Sequence, residues 1–106
     1  MNLLDGVAVV TGGGSGIGKD CVLAYAAEGV RGVAVIDIDG AAAQAVAEES
    51  KRLATNFSFE AVAIATDVSD ERSVEAMVGR VVGTFGRIDY LVNSAGVSSS
   101  LLGTTP

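Results

Sequence analysis

Apolar and polar residues follow one another in blocks along this chain, and the blocks change period in a regular order. Val7-Ala8-Val9-Val10, ending at Thr11, is a continuous, mostly β-branched run suited to a strand buried on both faces. After a glycine-rich loop, a helical period begins near Ile17 and runs to Glu28. It predicts an inner face of Ile17, Cys21, Ala24 and Tyr25, with Gly29 as C-cap. Val33 to Asp37 is a second strand, apolar until its last residue. Asp39-Gly40 and the alanines after them open a second helix, to about Leu53, whose Glu48, Glu49, Lys51 and Arg52 read as a solvated face. Phe59 to Thr66 is the third strand and leads into Asp67-Val68. Ser69 is the expected N-cap of a third helix, with Asp70 and Glu71 in its first turn, where the dipole favours acids. That helix has the clearest period: Val74, Val78, Val81, Val82 and Phe85, widened by Met77 and stopped by Gly86. Asp89 to Asn93 is the fourth strand, and from Val97 the chain turns Ser-, Gly- and Thr-rich up to Pro106.

The order β-α-β-α-β-α-β predicts an α/β fold: a parallel sheet with right-handed crossovers and strand order three, two, one, four. Strand four then lies at an edge, with helix three expected over one of its faces. Ligands of such sheets bind beyond the carboxyl ends of the strands, near the point where strand order reverses. Thr11 with its glycines, Asp37, Asp67 and Asn93 all fall at those ends. A nucleotide site accounts for them together, whereas turn chemistry must account for each separately.

The loop Gly12-Gly13-Gly14-Ser15-Gly16-Ile17-Gly18 narrows the ligand. A strand turning sharply into a helix aims unpaired N–H groups and the positive end of the helix dipole at one spot, which suits phosphate. The spacing G-x-G-x-x-G fails in every register, leaving T-G-x-x-x-G-x-G over Thr11, Gly12, Gly16 and Gly18. Gly13, Gly18 and Lys19 fit a triphosphate loop, but Asp20 stands where that motif needs a hydroxyl for magnesium. A glycine turn without a ligand is the remaining alternative. Asp37 lies about 20 residues after the last glycine, the distance expected of an acid that holds an adenosine ribose. It could equally cap the helix that follows.

Composition removes several classes. A net charge of −6 and a pI of about 4.3 argue against nucleic acid as a partner. Histidine is absent, which excludes a Ser-His-Asp hydrolase, a histidine zinc site and histidine acid–base chemistry. The single Cys21 allows no internal disulfide and no cysteine metal cluster, and its spacing suggests packing. No metal site is expected. No apolar run approaches the ~20 residues of a membrane span, and no basic-then-apolar leader is present, so a soluble, cytoplasmic chain is expected.

With Thr11-Gly12-x-x-x-Gly16-Ile17-Gly18, Asp37, Asp67-Val68 and Asn93-Ser94-Ala95-Gly96 in order, the chain resembles the N-terminal part of a short-chain dehydrogenase/reductase. The resemblance runs from about Leu4 to Val97. It implies a Rossmann-type sheet with helices on both faces, truncated after strand four. Residues 1–97 would form a dinucleotide-binding half-domain and residues 98–106 the start of a missing half. It implies NAD as cofactor, held by Gly12, Gly16 and Gly18 with the backbone of Ser15 and Ile17 at the diphosphate. Asp37, beside Ile38, would hold the adenosine ribose, and Asp67 with the Val68 backbone would contact adenine. Asn93, Ala95 and Gly96 would line the floor near the riboses and tie strand four to the loop around Thr11. It further implies hydride transfer with a secondary alcohol or ketone and a homo-oligomer for a full-length form. Ser94 stands where the family usually has a second Asn, at some loss of hydrogen bonding. The family's later catalytic Ser and Tyr-x-x-x-Lys have no counterpart: Tyr25 is followed four residues on by Gly29, and Tyr90 by Ser94. No catalytic residue is therefore assigned, and a non-catalytic dinucleotide-binding or interaction module is the alternative function.

Overall fold

The computed structural model describes residues 5–94. Strands β1 (Val7–Thr11), β2 (Gly32–Asp37), β3 (Glu60–Ala65) and β4 (Tyr90–Asn93) alternate with helices α1 (Gly16–Ala27), α2 (Gly40–Leu53) and α3 (Glu71–Phe85). All strand pairs are parallel, in the order β3-β2-β1-β4. The chain adds β2 and β3 on one side of β1 and then crosses to the other side for β4. Each element falls within a residue or two of its predicted bounds, because period and punctuating glycines agree along this stretch.

Alternation along the two central strands divides the core. Ala8, Val10, Val33 and Val35 pack with Val22 of α1 and Ala43, Val46 and Ala47 of α2. Val7, Val9, Ala34 and Ile36 face the other way, onto Met77, Val81 and Phe85 of α3. Helices therefore lie on both faces of the sheet. Small residues on α2 let it lie close to β2 and β3, and Gly32 is small for a similar reason, since a Cβ there would strike the Phe85 ring.

Several local expectations change. The buried face of α1 is Gly18, Val22 and Ala26, one position on from the predicted stripe. Ile17 and Ala24 are exposed, while Cys21 and Tyr25 are half-buried against the core. The cause is Gly18: a Cβ there would overlap the Gly12 carbonyl oxygen and Ser94 Oγ, so this glycine, not an apolar side chain, is the helix's point of closest approach. On α3, Val78 and Val82 of the predicted stripe are exposed, because the helix turns Met77, Val81 and Phe85 onto the sheet, with Val74 half-buried beside them. The α3 cap is Asp70, which accepts from Arg72 N–H at 3.0 Å, and not Ser69, whose N–H and hydroxyl are taken by Asp67. On α2, Glu49 is half-buried and pairs with Lys19 of α1 at 3.6 Å, whereas Glu48, Lys51 and Arg52 are exposed as expected.

Strand β4 also departs from expectation. Its covered face is the α1 side, where Tyr90 stacks on Tyr25 with ring centroids 5.6 Å apart and Val92 meets the core. Leu91, on the α3 side, is 68% exposed. The strand is pinned by Asp89, whose N–H donates to Val7 O and whose carboxylate accepts from Val7 N–H, both at 2.9 Å. Arg87 grips the same carboxylate through two nitrogens.

Candidate dinucleotide site at the carboxyl edge of the sheet

Strand register brings the polar strand ends to one edge. Thr11 is level with Ile36 of β2 and Asn93 of β4, and Asp37 is level with Ala65 of β3. The chain leaves each strand at the same height, and a cleft of about 340 Å³ opens there. Its floor and one wall are Gly12, Ser15, Gly16, Ile17 and Gly18. Asp37 and Ile38 form a second side, and Asp67 and Val68 a third.

The glycine loop is fixed from beneath and open above. Gly13 N–H donates to Ile36 O at 2.9 Å, so the loop lies across the end of β2. Ser15 is extended as N-cap of α1, and its side chain makes no capping bond. The first-turn N–H groups lack intrahelical partners by the geometry of any α-helix. Here no cap side chain takes them, and Ser15, Gly16 and Ile17 are exposed. Gly16 has φ +57°, and nothing lies within 4 Å of where its Cβ would stand. That is the shape of a cradle for an anion: donors and a dipole facing space that a side chain would fill.

The acids bordering the cleft are held differently. Asp37 is half-buried; its Oδ2 accepts from Gly14 N–H at 2.9 Å and its Oδ1 from Asp39 N–H at 3.0 Å. It does not cap α2. That role belongs to Asp39, which accepts from Ala42 N–H at 3.0 Å. Asp67 accepts from the Ser69 hydroxyl at 2.6 Å and from Ser69 N–H at 2.9 Å. These bonds, the hydroxyl first, hold its carboxyl below the usual carboxylate range. Lys19 points its ammonium at Glu49 and is not among the residues lining the cleft.

On the β4 side, Ser94 is buried and lines the cleft; its N–H and hydroxyl both donate to the Thr11 carbonyl. The smaller side chain thus fits beneath Gly18, where there is no space for a Cβ to meet it. Asn93 lies elsewhere: alternation puts it beside Leu91 in an apolar groove next to the cleft, where its Oδ1 accepts from the Thr11 hydroxyl at 2.9 Å. Ala95 and Gly96 lie outside the described residues. Two participants escaped the sequence reading. Thr66, buried with its N–H on Asp37 O at 2.9 Å, forms part of the cleft wall; a hydroxyl at the end of an apolar strand was the available signal. Gly14 touches Asp37, and nothing in the spacing of the glycines singles it out.

Comparison with known proteins agrees with this geometry. The family model described as short chain dehydrogenase matches residues 6–104. Short-chain dehydrogenase anuF of Penicillium roqueforti is 56% identical over 94 residues, covering 89% of this chain and 34% of that protein. The chain thus spans about a third of the length of the first relatives it matches. Short-chain dehydrogenase/reductase homolog YusS of Bacillus subtilis is 37% identical, over 92% of this chain and 86% of that protein. Among solved structures, a 7α-hydroxysteroid dehydrogenase complexed with NADH and 7-oxo glycochenodeoxycholic acid superposes with a TM-score of 0.78. It is 33% identical, over 87% of this chain and 34% of its own.

Proposed function

Because the chain belongs to the short-chain dehydrogenase/reductase family, we propose that its cleft binds NAD as the cofactor half of an oxidoreductase acting on a secondary alcohol or ketone. The bound nicotinamide would supply or accept the hydride; the residues described here do the holding. The open first turn of α1, with Gly16 leaving room for a diphosphate, supports a dinucleotide rather than a bare turn. Asp67 and the Val68 backbone, which line the cleft, would meet the adenine, and Asn93, which accepts from the Thr11 hydroxyl, would tie β4 to the base of the glycine loop. Ala95 and Gly96 complete the proposed cofactor set. The proton transfer that accompanies hydride movement needs an acid–base group, and neither Tyr25 nor Tyr90 has a lysine four residues on.

The observation that carries NAD over NADP is the Asp37 carboxylate in the cleft wall, with Ile38 beside it and no Lys or Arg among the described residues that line the cleft. A 2′-phosphate would approach this fixed negative charge. Two unit charges 4 Å apart are worth about 4 kcal/mol at an effective dielectric near 20. Screening reduces that, leaving a preference of roughly ten- to several-hundredfold. Titration of the chain with each cofactor, followed by NMR, should show NAD binding tighter, and Asp37→Ser should narrow the gap. Equal affinities in the parent chain would remove the assignment of Asp37.

A further inference from the structure

We infer that Gly14 is a positioning residue for cofactor specificity: its bare Cα and its N–H together fix the carboxylate of Asp37 where it meets the ribose. The inference deepens, and rests on, the reading of Asp37 just given.

Asp37 is held by two segments at once. Oδ2 accepts from Gly14 N–H at 2.9 Å, and Oδ1 accepts from Asp39 N–H at 3.0 Å. One oxygen is thus tied to the loop after β1 and the other to the turn after β2. Each keeps a second lone pair, enough to accept from a ribose hydroxyl. The approach is possible only without a side chain at position 14. A Cβ there would stand 2.8 Å from Asp37 Oδ2 and 2.9 Å from Ala42 Cβ. Ala42 is rigid, being in the first turn of α2 with its N–H on Asp39 Oδ1. The Asp37 carboxylate ends a side chain that rotates, so it yields first, and the contact with Ala42 is relieved by a small shift of the loop against the first turn of α2.

Gly14 is not among the described glycines with positive φ, which are Gly12, Gly16, Gly29 and Gly86. Alanine at position 14 therefore meets no backbone penalty, only the contact with Asp37 and Ala42. This separates it from Gly16, where the backbone itself demands glycine. With alanine at 14, the carboxylate rotates away and loses the Gly14 N–H. It then neither accepts from the ribose nor faces a 2′-phosphate at the same point. NAD binding weakens, while NADP, whose 2′-phosphate the charge opposed, binds no weaker than before.

The test uses the 106-residue chain labelled with ¹⁵N, as parent, Gly14→Ala, Asp37→Ser and the double variant, titrated with NAD and with NADP. Gly14→Ala should weaken NAD about tenfold, the worth of one charge-assisted hydrogen bond, and leave NADP no weaker, so that the preference narrows. The double variant should show no smaller preference than Asp37→Ser alone, because the acid through which Gly14 acts is already gone. Without nucleotide, Gly14→Ala should speed hydrogen exchange at the Asp39 amide, whose acceptor has moved. If Asp37→Ser abolishes the NAD preference while Gly14→Ala keeps it, Gly14 has no such role and Asp37 stands. If Asp37→Ser leaves the preference intact, the reading of Asp37 falls and this inference with it. Should Gly14→Ala fail to fold, it is repeated with Ala42→Gly, which removes the rigid neighbour: a loss of NAD affinity there relative to Ala42→Gly alone supports the contact with Asp37, and no loss overturns it.

Discussion

A branched side chain at residue 16 meets two obstacles of different kind. The backbone sits at φ +57°, which costs an L-residue about 1–2 kcal/mol, and the side chain would project into open space at the cleft. Gly16→Val should therefore abolish dinucleotide binding while leaving the far-ultraviolet circular dichroism close to that of the parent. Gly79→Ala, on exposed α3 where a Cβ meets nothing, is the control and should bind normally. Equal binding by the two variants would reduce the loop to a turn. Asp89 sets a second expectation at this scale. Its carboxyl is held below the usual range, first by the Arg87 side chain and then by Val7 N–H. A carboxylate with a depressed folded pKa contributes stability that is full above its unfolded pKa, near 4, and lost as pH falls through the folded value. Acid should thus destabilise the chain below about pH 4, and the slope should be shallower in Asp89→Asn. An unchanged slope in chemical denaturation at pH 2–4 would show that Asp89 does not anchor β4.

Helix ends show how little sequence distance separates a cap from its neighbour. Ser69 has a capping side chain one residue before the true cap, but Asp67 takes both its donors, leaving Asp70 to meet Arg72 N–H. Asp70→Ala should cost about 1 kcal/mol by thermal or denaturant unfolding. Ser69→Ala should cost less by the same measurement, since its bonds are exposed and serve the turn, not the helix. A larger loss in Ser69→Ala would return the cap to position 69. At the other end, Gly86 adopts φ +80° and its N–H reaches Val82 O, while Arg31 donates to Phe85 O at 3.1 Å from the neighbouring turn. The stop was legible in the sequence; the long-range arginine was not.

For the whole molecule, the unbalanced side is that of α3 and β4. Leu91 is 68% exposed, and Val78 and Ile88, also exposed, line the same groove beside β4, the outermost strand among the described residues. The 106-residue chain should therefore self-associate, and Leu91→Lys with Val78→Lys should shift it toward monomer in sedimentation velocity. A monodisperse parent chain would show that this face needs no cover. Strand order, the position of the cleft and most of its lining were determined by the sequence itself. Continuous apolar runs, punctuating glycines and right-handed crossovers leave a βαβ chain little freedom, and they send the polar strand ends to one edge. What only the tertiary structure decided depends on close approach between distant segments. Gly18 turns the buried face of α1 because it must pass the Gly12 carbonyl and Ser94; Asn93 points into the groove and Ser94 into the cleft. Gly14 and Asp37 meet across 23 residues of sequence, and no local pattern records a space that must stay empty.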